Sequence, residues 1–367
     1  MTSLDERRHR WSELSGVLAL LDAEDLGGLV DRSRIDGWGT SSTAVLPNGS
    51  SVFVKRLPLT ELEHARTHST RNHFRLPSYY QYGVGSAGFG VWRELATHVK
   101  TTGWVLDGSC GGFPTLLHYR VMRRRSDGAH RRGRGHESWV HSPEYVMYWN
   151  GSKRIASYIE ARRSTPFELW LVLEHFPHSV IDWVGDHQSA ASDVVDELLA
   201  TIRFLHGHGL FHFDAHYGNV VTDGSTPFLT DFGLANDWAF DLSTDEQAFL
   251  DTHRHYDFGE TIHSLGHVAR HLLQAAPEEE RDAVLRRFGP GGRGSDFDLL
   301  VSNVETLASD GLLGVTPAYA QVVVRYRPVI TFMSAFFSAM RTNRRKNTFF
   351  DDSRLAGLLT EAGVDVG

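Results

Sequence analysis

The sequence predicts an α+β fold in which a small antiparallel sheet precedes a larger helical part, and three observations support this. At 367 residues the chain is long enough for two lobes or domains. Residues 33–57 read as strand and turn around PNGS, which is typical of a β-hairpin. After a buried strand at 167–177, apolar residues recur mainly at helical spacing.

Composition and charge describe an ordinary globular protein and exclude several functional classes. The chain is 41% hydrophobic and 22% charged, with a formal net charge of −8, whereas a wholesale nucleic-acid binder usually carries a basic field. Its single cysteine, Cys110, excludes an internal disulfide and a cysteine-based zinc site. We therefore expect no nucleic-acid partner, and nothing implies an oxidising compartment.

No segment has the pattern of a secretory signal or a membrane span. The first residues, MTSLDERRHR, are charged and no apolar h-region follows them. The longest apolar stretch, residues 328–340, is too short to cross a bilayer and is more typical of a buried helix. We expect a cytoplasmic protein without a membrane partner.

Taken in order, the elements change from helix to strand and back to helix. Residues 1–32 have apolar positions spaced for one or two short amphipathic helices. Next come the hairpin, a helix at FGVWRELATHVK, an Arg-rich stretch at 123–136, and the strand at 167–177. The remaining predicted helices cover residues 193–206, 256–273, 278–288, 298–308, 319–342 and 353–362.

The stretch HFDAHYGN, residues 212–219, can be interpreted in three ways. His206, His208, His212 and His216 crowd one segment, as zinc ligands would, but no pattern for a further ligand stands out elsewhere. A histidine-rich surface loop is the second interpretation. The third adds Asp231 in LTDFG to Asp214 and Asn219, because phosphoryl transfer needs a carboxylate near the attacking hydroxyl and oxygen ligands for magnesium.

HxDxxxxN, with DFG twelve residues further on, resembles the catalytic and metal-binding loops of the protein kinase superfamily. The resemblance implies that Asp214 orients the hydroxyl and accepts its proton, and that Asn219 and Asp231 hold Mg²⁺. It also implies ATP as the phosphoryl donor. Lys55 in VFVK, on the third strand, matches the strand lysine that contacts the nucleotide phosphates.

Other residues follow from the same resemblance by position. Gly37, Gly39 and Ser42 stand in place of the glycine-rich loop that approaches phosphate. Glu94 is expected to pair with Lys55, although it lies 39 residues later; Glu61 and Glu63 are nearer in sequence but less well placed, and a solvated Glu94 is the alternative.

The remaining positions concern the adenine and the catalytic loop. Residues 174–176, with Glu174 and Phe176, match the hinge whose backbone binds adenine. His212 is expected to be a packed structural residue. Asp257 either braces the catalytic loop from the following helix or is an ordinary N-cap.

The chain departs from the family pattern at four points. Phe213 replaces the usual arginine before the catalytic aspartate, which puts regulation by activation-loop phosphorylation in doubt. His216 and Gly218 form DxHxGN, which looks like aminoglycoside phosphotransferases, choline kinases and ABC1-type atypical kinases. No APE follows DFG, and residues 57–163 form a long insertion.

The resemblance therefore predicts a divergent, bilobal protein-kinase-like fold. Its parts would be a helical extension at 1–32, a sheet-containing N-lobe at 33–176, and a helical C-lobe at 177–367. The predicted activity is transfer of the γ-phosphoryl group of ATP to a hydroxyl, with a protein Ser or Thr favoured over a small molecule. A pseudokinase scaffold is the alternative of another class. The Arg-rich stretch at 123–136 could dock an acidic partner, although a solvated loop suits it better.

Overall fold

The computed structural model describes residues 3–31, 34–35, 41–124, 139–289 and 295–366. The expected phosphate-binding Gly37 and Gly39, and most of the Arg-rich stretch, lie outside these residues. The described chain is mixed α+β, mainly helical with small antiparallel sheets. This agrees with the α+β class that the sequence predicts.

The helices and strands follow in chain order. The helices are α1 (Leu4–Leu20), α2 (Ala23–Asp31), α3 (Glu61–His64), α4 (Val91–Asp107), α5 (Pro143–Tyr148), α6 (Lys153–Ser164), α7 (Val180–Asp186), α8 (Ala191–Gly207), α9 (Thr244–Asp251), α10 (Tyr256–Ala275), α11 (Glu278–Phe288), α12 (Asp296–Ser302), α13 (Val304–Ser309), α14 (Pro317–Thr342) and α15 (Asp352–Glu361). The strands are β1 (Arg34–Ile35), β2 (Ser41–Val45), β3 (Ser51–Leu59), β4 (Leu116–Arg123), β5 (Phe167–Glu174), β6 (His178–Ser179), β7 (Leu210–Phe211), β8 (Val220–Thr222), β9 (Pro227–Leu229) and β10 (Asn236–Asp237).

The chain divides into two compact units. The first consists of Met1–His175, Asp231–Phe249 and Asn343–Asn347. The second consists of Phe176–Thr230, Leu250–Thr342 and Thr348–Gly367. The residues that follow β9, including the DFG sequence, thus belong to the first unit rather than to the later part of the chain that surrounds them in sequence.

The first unit is built on a five-stranded antiparallel sheet in the order β1-β2-β3-β5-β4. β2 and β3 form the expected hairpin, with Thr43 opposite Phe53. β5 lies between β3 and β4 and is buried along nearly its whole length. This explains its continuous apolar sequence, because a central strand covered on both faces has no polar side.

Helices cover both faces of this sheet. On one face, Leu14 and Leu18 of α1 and Leu26 of α2 pack with sheet residues such as Val54 and Val172. On the other face, α4 contributes an apolar cluster with β3 and β5 through Val91, Trp92 and Leu95. The helices predicted as an N-terminal extension are therefore part of the first unit's core.

The expectation of a long insertion at residues 57–163 needs correction. This stretch completes β3 and supplies α4 and β4, two elements of the unit's core. The sequence interpretation failed here because α4 starts far from β3, and the residues between them form only the short helix α3 and turns.

The second unit is a helical assembly around α10. This helix is buried on almost every face, including its polar residues Asp257, Glu260 and Ser264. The apolar stretch within 328–340 is part of α14, whose Met333 and Met340 are fully buried, as expected for a buried helix. The helix predicted at 298–308 is two helices, α12 and α13.

A small antiparallel sheet, β6-β8-β9, completes the second unit as described. Its strands β8 and β9 are the two short strands predicted on either side of the turn DGST. Within residues 3–31, 34–35, 41–124, 139–289 and 295–366, no helix has the length and apolar character needed to cross a membrane.

Candidate active site

Three charged side chains meet in the first unit. Lys55 Nζ lies 2.6 Å from Glu94 Oε1 and 2.7 Å from Asp231 Oδ1. Glu94 is almost fully buried, with 5% of its side chain exposed, whereas 42% of the Asp231 side chain is exposed. The lysine is therefore held between a buried carboxylate and one that faces outward.

The local structure explains why Glu94, and not a nearer glutamate, reaches Lys55. Glu94 lies in the first turn of α4. Glu63 is occupied elsewhere, because its carboxylate accepts hydrogen bonds from Thr60 at the start of α3 and from the Val91 N–H. Glu61 is exposed. The prediction that pairs Glu94 with Lys55 matches these distances.

The charge of Lys55 is secured by its partners. Burial alone would lower the pKa of an ammonium group, but the negative charges of Asp231 and Glu94 raise the pKa of Lys55 above its ordinary value. The side chain is consequently cationic over the whole physiological pH range. A fixed positive charge beside an outward-facing carboxylate is suited to bind a phosphate group with its cation.

Asp231 itself has a restricted backbone conformation. Its φ of 62° lies in the left-handed region, which is costly for a residue other than glycine. The geometry is supported by a hydrogen bond from Gly233 N–H to Asp231 Oδ1, and by Phe89 N–H, which donates to Gly233 O. Gly88 is required beside this contact, since a Cβ there would lie 2.7 Å from Gly233 O.

The aromatic residue of DFG is anchored separately. Phe232 is fully buried and packs against His98 of α4, with 4.7 Å between ring centroids, and against Phe113 at 6.2 Å. Gln81 also donates a hydrogen bond to Leu234 O. Because α4 carries both Glu94 and His98, one helix positions the lysine and the DFG sequence together.

A second polar cluster lies in the second unit. Asn219 Nδ2 donates to both the backbone O and the Oδ2 of Asp214, each over 2.9 Å. This fixes the orientation of the Asn219 amide and turns its Oδ1 away from Asp214. The pair thus presents a carboxylate and an amide oxygen, both hard ligands of the kind that Mg²⁺ prefers.

The DxHxGN pattern has a geometric explanation in the same loop. His216 Nδ1 accepts a hydrogen bond from Gly218 N–H over 3.0 Å, so that Nε2 carries the proton in the neutral ring. Nε2 lies 3.6 Å from Asp214 Oδ1. A Cβ at position 218 would meet the His216 ring at 2.8 Å, which accounts for glycine there.

Asp257 of α10 fixes the backbone of the loop at residues 212–219. Its two carboxylate oxygens accept hydrogen bonds from the N–H groups of His212 and Phe213, each over 2.7 Å, and His206 Nε2 lies 2.8 Å from one of them. The N-cap of α10 is His255, so the N-cap alternative for Asp257 is wrong. Burial would raise the pKa of Asp257, but the hydrogen bonds and charge of the histidines lower it overall.

The brace extends along one face of α10. Glu260 accepts from Ala215 N–H, Thr261 donates to Ala215 O, and Ser264 accepts from Tyr217 N–H. Burial and the nearby charges of Asp214 and Asp257 raise the pKa of Glu260 well above its ordinary value. The four bracing residues occupy positions i, i+3, i+4 and i+7, one stripe of a helix.

The histidines considered above as zinc ligands have individual partners. His212 is fully buried, with Nε2 3.0 Å from Thr230 O and Nδ1 accepting from Asp214 N–H, as expected for a structural residue. His208 Nδ1 lies 2.8 Å from Phe204 O. In the part of the chain that the structure describes, no three His, Cys, Asp or Glu side chains form a group suited to a metal ion.

The remaining expected site residues, Ser42, Glu174 and Phe176, lie outside the two polar clusters. Ser42 lies in β2 and is buried. The Glu174 side chain is paired with Arg7 and turned into the interior. Phe176, in the second unit, stacks on Phe228 of β9 with 4.0 Å between ring centroids.

Sequence reasoning missed the residues that support the two clusters. A signal was present for these supporting contacts, since Asp257, Glu260, Thr261 and Ser264 recur at helical spacing and so share one stripe of α10. No local signal pointed to His98 or to Arg7. Comparison with known proteins adds no assignment, because no protein-family model matches the chain and neither does any curated protein.

Proposed function

We propose that this protein is an ATP- and Mg²⁺-dependent phosphotransferase that transfers the γ-phosphoryl group to a hydroxyl. The observation that carries the proposal is the arrangement of Lys55 between Glu94 and Asp231. A largely enclosed, charged lysine with two carboxylates is expensive to maintain, and a scaffold without turnover has no chemical need for it.

The donor atoms available in each unit suit a magnesium–nucleotide complex. Asp231 offers an outward-facing carboxylate, and Asn219 offers an oriented amide oxygen; these are the proposed magnesium ligands. When bound, Mg²⁺ would neutralise charge on the phosphates. Lys55 would orient those phosphates, and the resemblance to kinase loops is what assigns the two sets of residues to one nucleotide.

Asp214 would orient the acceptor hydroxyl and take its proton. Its carboxylate is held by Asn219 and approached by His216, while its backbone is fixed by the brace from α10. General-base assistance of this kind contributes about 10² to 10⁴ in rate. Positioning by a rigid loop contributes to the remainder.

Two acceptor classes are consistent with this chemistry. A protein Ser or Thr comes first, because the DFGLA sequence and the spacing from Asp214 to Asp231 are like those of protein kinases. A small-molecule alcohol is the second candidate, and one observation favours it. Only a short connection separates Leu234 from α9, which begins at Thr244, so a long peptide-docking segment is missing there.

The test compares wild type with Asp214→Asn in the presence of γ-labelled ATP and Mg²⁺. We expect the wild type to consume ATP and the variant to lose turnover while it binds MgATP with similar affinity. Asp196→Asn, on the exposed side of α8, is the matched control and should behave as wild type. Mass spectrometry of proteins and of hydroxylated metabolites after incubation then identifies the acceptor class.

Two outcomes would contradict the proposal in different ways. Nucleotide binding without ATP loss in the wild type, over both acceptor pools, would leave the pseudokinase alternative. Near-normal turnover in Asp214→Asn would remove the assigned base.

A further inference from the structure

Arg7 is an arginine buried in the first unit, although it belongs to the N-terminal helix α1. Only 5% of it is exposed. Its Nε and Nη2 donate to the two carboxylate oxygens of Glu174 over 3.2 and 2.6 Å. Nη1 donates to Gly111 O over 2.8 Å, and Nη2 donates to Phe113 O over 2.6 Å.

Glu174 is the last residue of β5 and is fixed from a second side. Its Oε2 accepts from Thr115 N–H over 3.1 Å and from Thr115 Oγ1 over 3.2 Å, and its own N–H donates to Thr115 O. The end of β5 is thus tied by its side chain to Arg7 and by its backbone to the residues before β4. Little freedom remains for the chain that leaves the sheet at this point.

The same guanidinium also reaches the surroundings of DFG. Phe113, whose carbonyl Arg7 binds, is fully buried, and its ring lies 6.2 Å from that of Phe232. Arg7 therefore supports two features of the candidate site, the end of β5 and the aromatic packing next to Asp231.

Helix α1, which carries Arg7, is itself fixed to the sheet by apolar packing and hydrogen bonds. Leu14 and Leu18 are buried against the sheet, Trp11 Nε1 donates to Leu116 O over 2.9 Å, and Arg8 Nε donates to Leu106 O over 2.7 Å. An apolar residue at position 7 would hold the helix as well or better, because desolvating a guanidinium is costly. A planar guanidinium that donates two hydrogen bonds has an advantage where a carboxylate, here that of Glu174, must be held in one orientation.

We propose that Arg7 is a positioning residue for the nucleotide, and that α1 is consequently a part of the nucleotide site. By fixing Glu174, Arg7 sets the backbone at Glu174 and His175 to receive the adenine edge. This inference rests on the proposed function and adds to it. It predicts that Arg7 affects recognition of the base and leaves recognition of the phosphates unchanged.

The experiment titrates the full-length protein with MgATP and, separately, with magnesium tripolyphosphate, which lacks the base. For Arg7→Met, we expect the Kd for MgATP to rise about tenfold, the loss that one charged hydrogen bond represents, with the tripolyphosphate Kd unchanged. Arg7→Lys should recover part of the loss, since lysine keeps the charge but cannot bind both oxygens of Glu174.

Arg8→Met is the matched control. It removes a hydrogen-bonded arginine from the same helix without touching Glu174, so the ratio of the two Kd values should stay that of wild type. If Arg7→Met does not fold, the two Kd values are measured for Glu174→Gln and Arg7→Lys instead. Both changes nearly retain the side-chain volume and weaken the contact between Arg7 and Glu174.

Each outcome has a defined meaning. An unchanged ratio of Kd values in the Arg7 and Glu174 variants, with either affinity intact or both reduced alike, overturns the inference and makes Arg7 a structural anchor only. If the wild type binds neither ligand, the proposed function fails as well, so the two failures are distinguishable.

Discussion

Asp257 Oδ1 accepts a hydrogen bond from the Phe213 N–H over 2.7 Å, and Phe213 has a φ of 59°, in the left-handed region. A bulky residue rarely adopts this conformation without outside support. Phe213 is also fully buried, and its ring lies 5.5 Å from that of Tyr256, which precedes Asp257 on helix α10. The helix therefore holds a strained turn in the residue that precedes the proposed base, Asp214.

We predict that Asp257→Asn both destabilises the protein and slows catalysis. An asparagine keeps the size but places an NH₂ group against one of the two backbone N–H donors. The cost should be about 2 to 4 kcal/mol in the free energy of unfolding, since a buried donor loses its partner. Urea unfolding and kcat, measured at a temperature where the variant is folded, test both effects.

Asp251→Asn is the control for this change. Asp251 pairs with Arg254 at the surface, and both side chains are more than half exposed, so its loss should cost less than about 0.5 kcal/mol. An Asp257→Asn variant as stable and active as this control would mean that the turn at Phe213 needs no brace.

The pairing of Lys55 with Glu94 leads to a second prediction. Glu94→Gln should lower kcat/KM by about 10²-fold, because Lys55 would keep only Asp231 as a charged partner and move away from its place. Lys55→Met should abolish measurable turnover. Steady-state kinetics with MgATP as the varied substrate provide the measurement.

Glu61→Gln tests the alternative in which Glu61, nearer in sequence, pairs with Lys55 in place of Glu94. Glu61 lies closer to Lys55 in the chain but is exposed on α3, so its replacement should leave the rate within about twofold of wild type. A large loss in Glu61→Gln with none in Glu94→Gln would reverse the assignment.

The sequence predicts the β2–β3 hairpin from its turn, the buried strand β5 from its continuous apolar run, and most long helices from apolar residues recurring with a period of 3.6. It also predicts Lys55, Asp214, Asn219 and Asp231 as candidate site residues from their spacing, and the structure brings Lys55 to Asp231 and Asn219 to Asp214. It does not predict what supports them. Arg7 reaches Glu174 across 167 residues and Gln81 reaches Leu234 across 153, and no local pattern encodes a contact of that range.

The error over residues 57–163 has the same origin. Alternation and length identify strands one by one, but strand order depends on packing that only the folded sheet reveals. β4 joins the sheet beside β5 although the chain passes through α4 first. A strand that follows such a long connection is therefore easily taken for part of an insertion.

A third prediction concerns the segment after DFG. Arg93, next to Glu94 on α4, lies with Nη2 2.8 Å from Glu246 Oε1 in α9, and each side chain is at most 5% exposed. The two atoms are close but not aligned as a hydrogen bond, while the other Glu246 oxygen accepts from Ser243. The contact is thus an ion pair whose charges are both desolvated.

Arg93→Met should cost about 3 to 5 kcal/mol, because Glu246 would remain as a buried charge without its partner. The double variant Arg93→Met/Glu246→Leu should be more stable than Arg93→Met alone, since no uncompensated charge is left. A double-mutant cycle by urea unfolding measures the coupling. Independent, additive effects of the two changes would show that the pair does not act as a unit.

The fourth prediction is a loss of stability in mild acid that depends on His267. The imidazole lies in α10, with its ring 5.1 Å from that of His263 and 4.8 Å from Phe297. Burial, and then the charges of His216, Arg270 and Arg341, lower the pKa of His267 to about 4. The folded protein therefore keeps this ring neutral at a pH where the unfolded chain binds a proton.

The sign follows from linkage: the unfolded state takes up the proton near pH 6.5 and the folded state only near pH 4, so stability falls as pH falls between these values. At pH 5 the wild type should have lost about 2 kcal/mol relative to pH 7.5 through His267. His267→Gln should remove that part of the loss, whereas His208→Gln, at an exposed position, should retain it. Equal pH dependence of unfolding in wild type and His267→Gln would show that this histidine does not resist protonation in the folded state.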